Sequence, residues 1–282
     1  MNIGIVGLGL IGGSLGRAIK NKTDGKVFAF DLDKDAMFKG KLLSAYDFEL
    51  NDGNIGDVDI LFFALYPKAF SSCAEDYVKK LKDGCVVIDL CGNKRKPVEI
   101  MKKLSEKYPK VVFTGGHPMA GREFSGVAHS TVNLFDGASM LLTPVTEDLA
   151  TLSRIKEFIL KVGFRQVVFT TPEEHDAIIA YTSQLAHLVS SSYIKSPTAK
   201  RQRGFSAGSF KDMTRVARLS PEMWTELMTD NADNLISELE GIIGRLTEYR
   251  DALKDKDEKR LYKLLEEGNE LKLEDLKNPE KK

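Results

Sequence analysis

Cysteine is scarce in this chain. Cys73, Cys85 and Cys91 are the only three, with no C-x-x-C spacing and no even set. A disulfide framework or a thiolate metal cluster is therefore not expected, and a reducing, cytoplasmic setting is. Net charge is also absent: Lys plus Arg and Asp plus Glu both number 41. That balance argues against a nucleic-acid footprint, and any anionic substrate must be gripped by a few local cations. No apolar run is long enough to span a bilayer, and the first residues lack the charged and apolar regions of a signal peptide. The four histidines show no H-E-x-x-H or similar spacing, so no metal is expected. Internal repeats and low-complexity segments are missing too.

What is present begins at the first residues. Asn2 to Gly16 reads N-I-G-I-V-G-L-G-L-I-G-G-S-L-G. A short β-type run is followed by G-x-G-x-x-G at Gly7, Gly9 and Gly12, then by an apolar-periodic helix starting at Leu10 and Ile11. Gly7 permits the turn, Gly9 lets backbone approach a pyrophosphate, and Gly12 lets helix and strand pack closely. The helix N-terminus offers free N–H groups to phosphate. A second strand, Lys26 to Phe30, ends in Asp31, about 20 residues on, where a carboxylate meets a ribose 2′-hydroxyl. No Arg follows it (the run is Asp31-Leu32-Asp33), which favours NAD over NADP.

Strands and helices then alternate. Asp59–Leu65 is a continuous apolar run, as in a central parallel strand, ended by Tyr66-Pro67. Helices are expected over 68–81 and 97–108, and strands over 85–90, 111–114, 139–142 and 166–169. The implied architecture is an α/β, Rossmann-type dinucleotide-binding domain over residues 1–169, with ligands beyond the carboxyl ends of its strands. Leu65 and Pro67 thereby join Gly7, Gly9, Leu10, Ile11, Gly12 and Asp31 as candidate cofactor contacts. Residues 170–282 read as an all-α domain. Thr171-Pro172-Glu173-Glu174 is a capping signature with proline at the first helical position. One long helix is expected through Met228, Ala232, Leu235, Leu239, Ile242, Leu246, Tyr249 and Leu253, whose spacing makes a seam for a neighbouring helix or a second subunit. The charged segment after Lys254 is not expected to contribute a core.

The reaction must be read outside the dinucleotide fingerprint. Gly115-Gly116-His117-Pro118-Met119-Ala120-Gly121-Arg122-Glu123 follows a strand on the ligand side. A neutral His117 there is suited to accept a hydroxyl proton as hydride leaves the same carbon. His187 sits among apolar residues of a helix and by itself reads as a core histidine; His175 reads as structural. Lys211 and Arg215 share a helix face, and the arginine fork suits a carboxylate.

With these stretches in hand, the sequence resembles the prephenate/arogenate dehydrogenase family. The resemblance runs from Asn2 to about Leu253 and is carried by G-L-G-L-I-G-G-S-L-G, H-P-M-A-G-R-E, S-Q-L-A-H and F-K-D-M-T-R-V-A. It implies an N-terminal Rossmann domain, a helical C-terminal domain forming a homodimer, and NAD-dependent oxidative decarboxylation of a cyclohexadienyl acid. It assigns His117 as proton acceptor, Arg215 as carboxylate grip and His187 as a pocket histidine; Arg122 and Lys211 are further cations available to a diacid, and Gly121 is expected beside them at the substrate. Two positions depart from the family pattern: Gly92 stands where a serine is usual in D-x-x-S-x-K, and Arg122 where a small hydroxyl residue is common. Any tyrosine feedback is expected at the active site or dimer interface. Competing readings are arogenate as substrate, a β-hydroxyacid dehydrogenase using Lys211 or Lys94 on the hydroxyl, and a non-catalytic NAD-binding regulatory protein.

Overall fold

A computed structural model describes residues 1–145 and 148–277. The first strands, β1 (Asn2–Val6), β2 (Lys26–Phe30), β3 (Phe48–Glu49) and β4 (Ile60–Phe63), are followed by β5 (Val86–Asp89), β6 (Val112–Pro118), β7 (Ser139–Pro144) and β8 (Gln166–Phe169). They form one sheet in the order 3-2-1-4-5-6-7-8. The order reverses between β1 and β4, which is where a doubly wound sheet opens its ligand crevice.

The β4 sequence Ile-Leu-Phe-Phe is wholly buried because helices cover both faces. Phe62 packs in the cluster with α1 (Leu10–Lys22) and α5 (Leu149–Val162), whereas Phe63 packs with α3 (Pro67–Val78) and α4 (Arg95–Lys107). Each such phenylalanine contributes roughly 1.5–3 kcal/mol of burial free energy. The remaining helix of this stretch is α2 (Lys34–Leu42), capped by the Asp33 side chain on the Asp35 N–H at 2.8 Å.

Sequence and structure part in three places. First, β6 runs on through Gly115, Gly116 and His117 to Pro118, beyond the expected end at Thr114. Second, β7 pairs antiparallel to β6, with His117 opposite Leu141. The connection from 119 to 138 holds only a single 3₁₀ turn, Val127–His129, and lacks the crossover helix that a parallel return requires. Third, the long C-terminal helix is broken at Asn231 into α9 (Pro221–Asp230) and α10 (Ala232–Lys254). Asn231 is fully buried, and its amide donates to the Asp176 carbonyl (2.8 Å) and the Gln184 Oε1 (2.9 Å). Those bonds hold the residue at φ −121° and ψ 26°, outside helical geometry. As expected, the charged segment after Lys254 adds no core: it forms α11 (Glu258–Lys277), with no buried residue.

Between β8 and α9 lie α6 (Pro172–Ile179), a π-helical stretch at Ala180–Leu185, α7 (Ala186–Ile194) and α8 (Gly208–Thr214). Thr171 caps α6 by accepting from the Glu174 N–H at 3.1 Å. By packing, the chain divides into two compact units, Met1–Ala232 and Asp233–Lys282. Within the second, the Tyr249 hydroxyl donates to the Leu264 carbonyl at 2.8 Å, tying α11 to α10. Ile243, Leu246, Leu253, Leu265 and Leu271 are exposed on this unit.

Candidate active site

The glycine turn has the shape its sequence implied. Gly7 adopts φ +97°, and a Cβ there would lie 2.5 Å from the Ala64 carbonyl. A Cβ on Gly12 would collide with the Gly7 carbonyl oxygen, so the closeness of helix and turn depends on that missing atom. Around Gly9 there is nothing within 4 Å of a Cβ position, so the turn leaves open space where pyrophosphate is expected. Leu10 and Ile11 begin α1 beside it. Asp31 is fixed at the tip of β2: its carboxylate accepts from the Leu8 N–H at 2.6 Å and from the Asp33 N–H at 2.9 Å. Leu65 is half-buried beyond the end of β4, and Pro67 is the first residue of α3. Open backbone space, a free helix N-terminus and a held carboxylate beyond the carboxyl ends of β1 and β2 together fit NAD.

His117 projects from the end of β6. Its Nδ1 lies 2.9 Å from Nε2 of His175, and the Nδ1 of His175 lies 2.8 Å from Oδ1 of Asp176. Asp176 is fully buried at the start of α6. Its Oδ1 also accepts from the Lys94 N–H (2.7 Å), and its Oδ2 from the Arg95 N–H (3.0 Å) and Nε (3.2 Å). Burial by itself would raise its carboxyl, but the hydrogen bonds from His175, Arg95 and Lys94 outweigh that and hold it below the ordinary carboxylate range. An ionised Asp176 only accepts, so His175 carries its proton on Nδ1 and presents Nε2 as an acceptor. His117 must then donate from Nδ1, and its Nε2 keeps a lone pair. One buried carboxylate thus fixes the tautomers of two rings. Burial first, then His175 and Lys94, push the His117 imidazolium well below its ordinary range. Burial also lowers His175, against the opposing pull of Asp176. The neutral His117 is a base with one available nitrogen.

His187 belongs to α7. Its Nδ1 donates to the Val216 carbonyl at 2.8 Å, and its ring lies over Trp224 with centroids 3.9 Å apart. This also leaves its Nε2 as the remaining ring acceptor. Arg215, in the short 3₁₀ turn after α8, pairs with Glu123 at 3.2 Å. The pair is exposed, so the Arg215 fork is held by one carboxylate without being sealed. Arg122 donates to the His129 carbonyl at 3.2 Å, while Gly121 has open space around its Cβ position. Lys211 is an exposed residue of α8. Gly92 lies against α9: a Cβ there would meet Leu227 at 3.1–3.2 Å, so the position has little room for the family's serine.

The partnership of His117 with His175 and Asp176 is invisible in linear sequence, because β6 and α6 supply it from 58 positions apart. The one local signal was the His-Asp dipeptide in the first turn of a capped helix.

Residues 15–168 match the sequence model described as prephenate dehydrogenase, nucleotide-binding domain, and residues 171–267 match its dimerization domain. The chain belongs to the prephenate dehydrogenase family. Among relatives, cyclohexadienyl dehydrogenase of Zymomonas mobilis is 29% identical, the match covering 96% of this chain and 95% of that one. Prephenate dehydrogenase of A. aeolicus, solved in complex with hydroxyphenyl propionate and NAD+, is similar at 27% identity and TM-score 0.83, over 97% of this chain and 98% of that one. Synechocystis arogenate dehydrogenase is similar at 25% identity and TM-score 0.80, over 97% and 99%. As a member of an NAD-dependent dehydrogenase family the chain is an oxidoreductase with a Rossmann-type cofactor domain and a helical region of the family's dimerization type. No helix among the described residues is long and apolar enough to cross a membrane. Lys94 is unsuited to act on a substrate hydroxyl: its side chain is fully buried and ion-paired to Asp89.

Proposed function

We propose that this chain converts prephenate to 4-hydroxyphenylpyruvate with NAD as oxidant, in the tyrosine branch of aromatic amino acid synthesis. The observation that carries the reading is the His117–His175–Asp176 chain, which leaves His117 Nε2 as a proton acceptor at the end of β6. His117 takes the proton from the ring C4 hydroxyl. Bound NAD, held by Gly7, Gly9, Leu10, Ile11, Gly12, Asp31, Leu65 and Pro67, supplies the acceptor for the C4 hydride. The positive charge developing on His117 is shared through Nδ1–H with His175 and, behind it, Asp176. Loss of the ring carboxylate as carbon dioxide then leaves an aromatic ring, which makes the step downhill.

A substrate with two carboxylates needs fixed cations. Arg215 provides a fork already suited to a carboxylate, since Glu123 occupies it here, and a substrate carboxylate takes Glu123's place. Arg122 and Lys211 add positive charge, Gly121 leaves space, and His187 contributes Nε2. Residues 1–169 serve the cofactor in this reading, and residues 170–282 the substrate and a cytoplasmic homodimer formed through the C-terminal helices. The exposed leucines of α10 and α11 support that pairing.

The test is NADH or NADPH formation by the purified protein from prephenate and from arogenate, with NAD and with NADP, beside a His117→Asn variant. NAD-dependent turnover of prephenate, lost by about a hundredfold or more in the variant, is the expected result. Preference for arogenate would reassign the substrate. NAD binding without turnover of either acid would overturn the catalytic reading.

A further inference from the structure

Lys94 is an unusual lysine. Its side chain has no solvent exposure, and neither does that of its partner Asp89. The ammonium is ion-paired to Asp89 Oδ1 and donates to the Gly116 carbonyl at 2.6 Å. Gly116 is the residue immediately before His117. The path of the side chain depends on Gly115, where a Cβ would lie 3.1 Å from Lys94 Cδ and collide with the Thr143 hydroxyl. The backbone N–H of Lys94 meanwhile donates to Asp176, the end of the histidine chain. One residue therefore ties together the end of β5, the strand that presents the base, and the carboxylate that sets the base's tautomer.

Burying a lysine costs several kcal/mol, which here is offset by the ion pair to Asp89 and the hydrogen bond to the Gly116 carbonyl. The charged and titratable groups around His117 are His175 and Asp176 from α6, Lys94 and Arg95 from the start of α4, and Asp89 from the end of β5. With both rings neutral, the two cations balance the two carboxylates. A proton on His117 before substrate arrives would leave this buried group with an uncompensated charge.

We propose, on the reading of His117 as the base, that Lys94 is its positioning residue: the ammonium clamps the Gly116 carbonyl so that the imidazole holds its place, and its charge keeps that imidazole neutral until a substrate proton is delivered. Burial and the His175 ring act on His117 in the same direction as Lys94. Lys94 itself touches no reacting atom.

The test uses the full-length protein and two variants, Lys94→Met and the charge-balanced Asp89→Asn/Lys94→Met. The single variant strands Asp89, whose Oδ2 already has no partner among the described residues, and so risks misfolding. The double variant removes both charges together. The primary readout is the ring titration of His117 in cofactor-free protein, followed by NMR of labelled histidine and assigned by the signal missing from His117→Asn. The expected result is a midpoint raised in Lys94→Met, and raised less in the double variant, where the opposing charge of Asp89 is lost with that of Lys94. The acid limb of kcat/KM moves up by the same amount, while NAD affinity is unchanged. An unmoved midpoint in a Lys94→Met protein that unfolds cooperatively and binds NAD would overturn the proposal. A double variant that does not fold would assign the pair to core stability and overturn it likewise. The titration needs no substrate, so it decides the question even if neither cyclohexadienyl acid is turned over.

Discussion

Replacing Asp176 by asparagine should cripple the enzyme while leaving its cofactor site intact. The carboxylate accepts four hydrogen bonds, two on Oδ1 from His175 and the Lys94 N–H and two on Oδ2 from Arg95. An amide cannot reproduce this. With its oxygen toward His175, its NH2 faces two Arg95 donors; flipped, it faces the Lys94 N–H and forces His175 into the other tautomer. His175 would then present N–H to His117 Nδ1, which would turn His117's proton onto Nε2, the atom that must accept. Loss of one charge-assisted hydrogen bond behind the base is worth about 1.5–3 kcal/mol, or about 10- to 150-fold in kcat/KM. The unmatched buried donors also lower stability, by about 1–3 kcal/mol. The assay is kcat/KM against pH, beside NAD affinity by fluorescence and a denaturant melt. A folded, NAD-binding Asp176→Asn enzyme as fast as the wild type would refute the tautomer argument.

Two further outcomes are expected. Gly9→Ala should leave the melting temperature of the cofactor-free protein nearly unchanged, because its Cβ meets nothing, yet weaken NAD binding; Gly12→Ala should lose several kcal/mol of stability as well, because its Cβ strikes the Gly7 carbonyl. Titration and melts of the two variants separate the effects, and equal stability loss in both would contradict this geometry of the turn. Stability should also fall with acid. His175 is buried and its folded-state pKa lies below the ordinary 6.5, so below about pH 6.5 the unfolded chain binds a proton that the native one refuses. The cost is about 1.4 kcal/mol per pH unit from His175, with His117 adding to it, until the folded-state values are reached. Urea melts between pH 7.5 and 5.5 should show it, and a His175→Gln variant should be flatter over that window.

The residues differ in how far their roles could be read in advance. The glycine turn, the apolar β4 run and the Thr171 cap are local: each needs only its neighbours to be interpretable, and each formed as its chemistry demands. His117 was legible as a candidate because Gly-Gly before it and proline after it mark a special backbone. His175 was not, since a histidine in the first turn of a helix looks alike whether it faces solvent or another imidazole. Lys94 entered the sequence reading only as a lysine to act on a hydroxyl in a β-hydroxyacid dehydrogenase, and only the sheet places Asp89 and the Gly116 carbonyl around it.

By itself, then, the sequence determined the elements whose energetics are short-ranged: the dinucleotide turn, the alternation of strand and helix, and the capped start of α6. Tertiary structure decided the direction of β7, the break at Asn231 and the assembly of His117, His175, Asp176 and Lys94. The physical reason is the same in each case. These features rest on hydrogen bonds and ion pairs between groups far apart in the chain, which exist only after burial has removed the competing water.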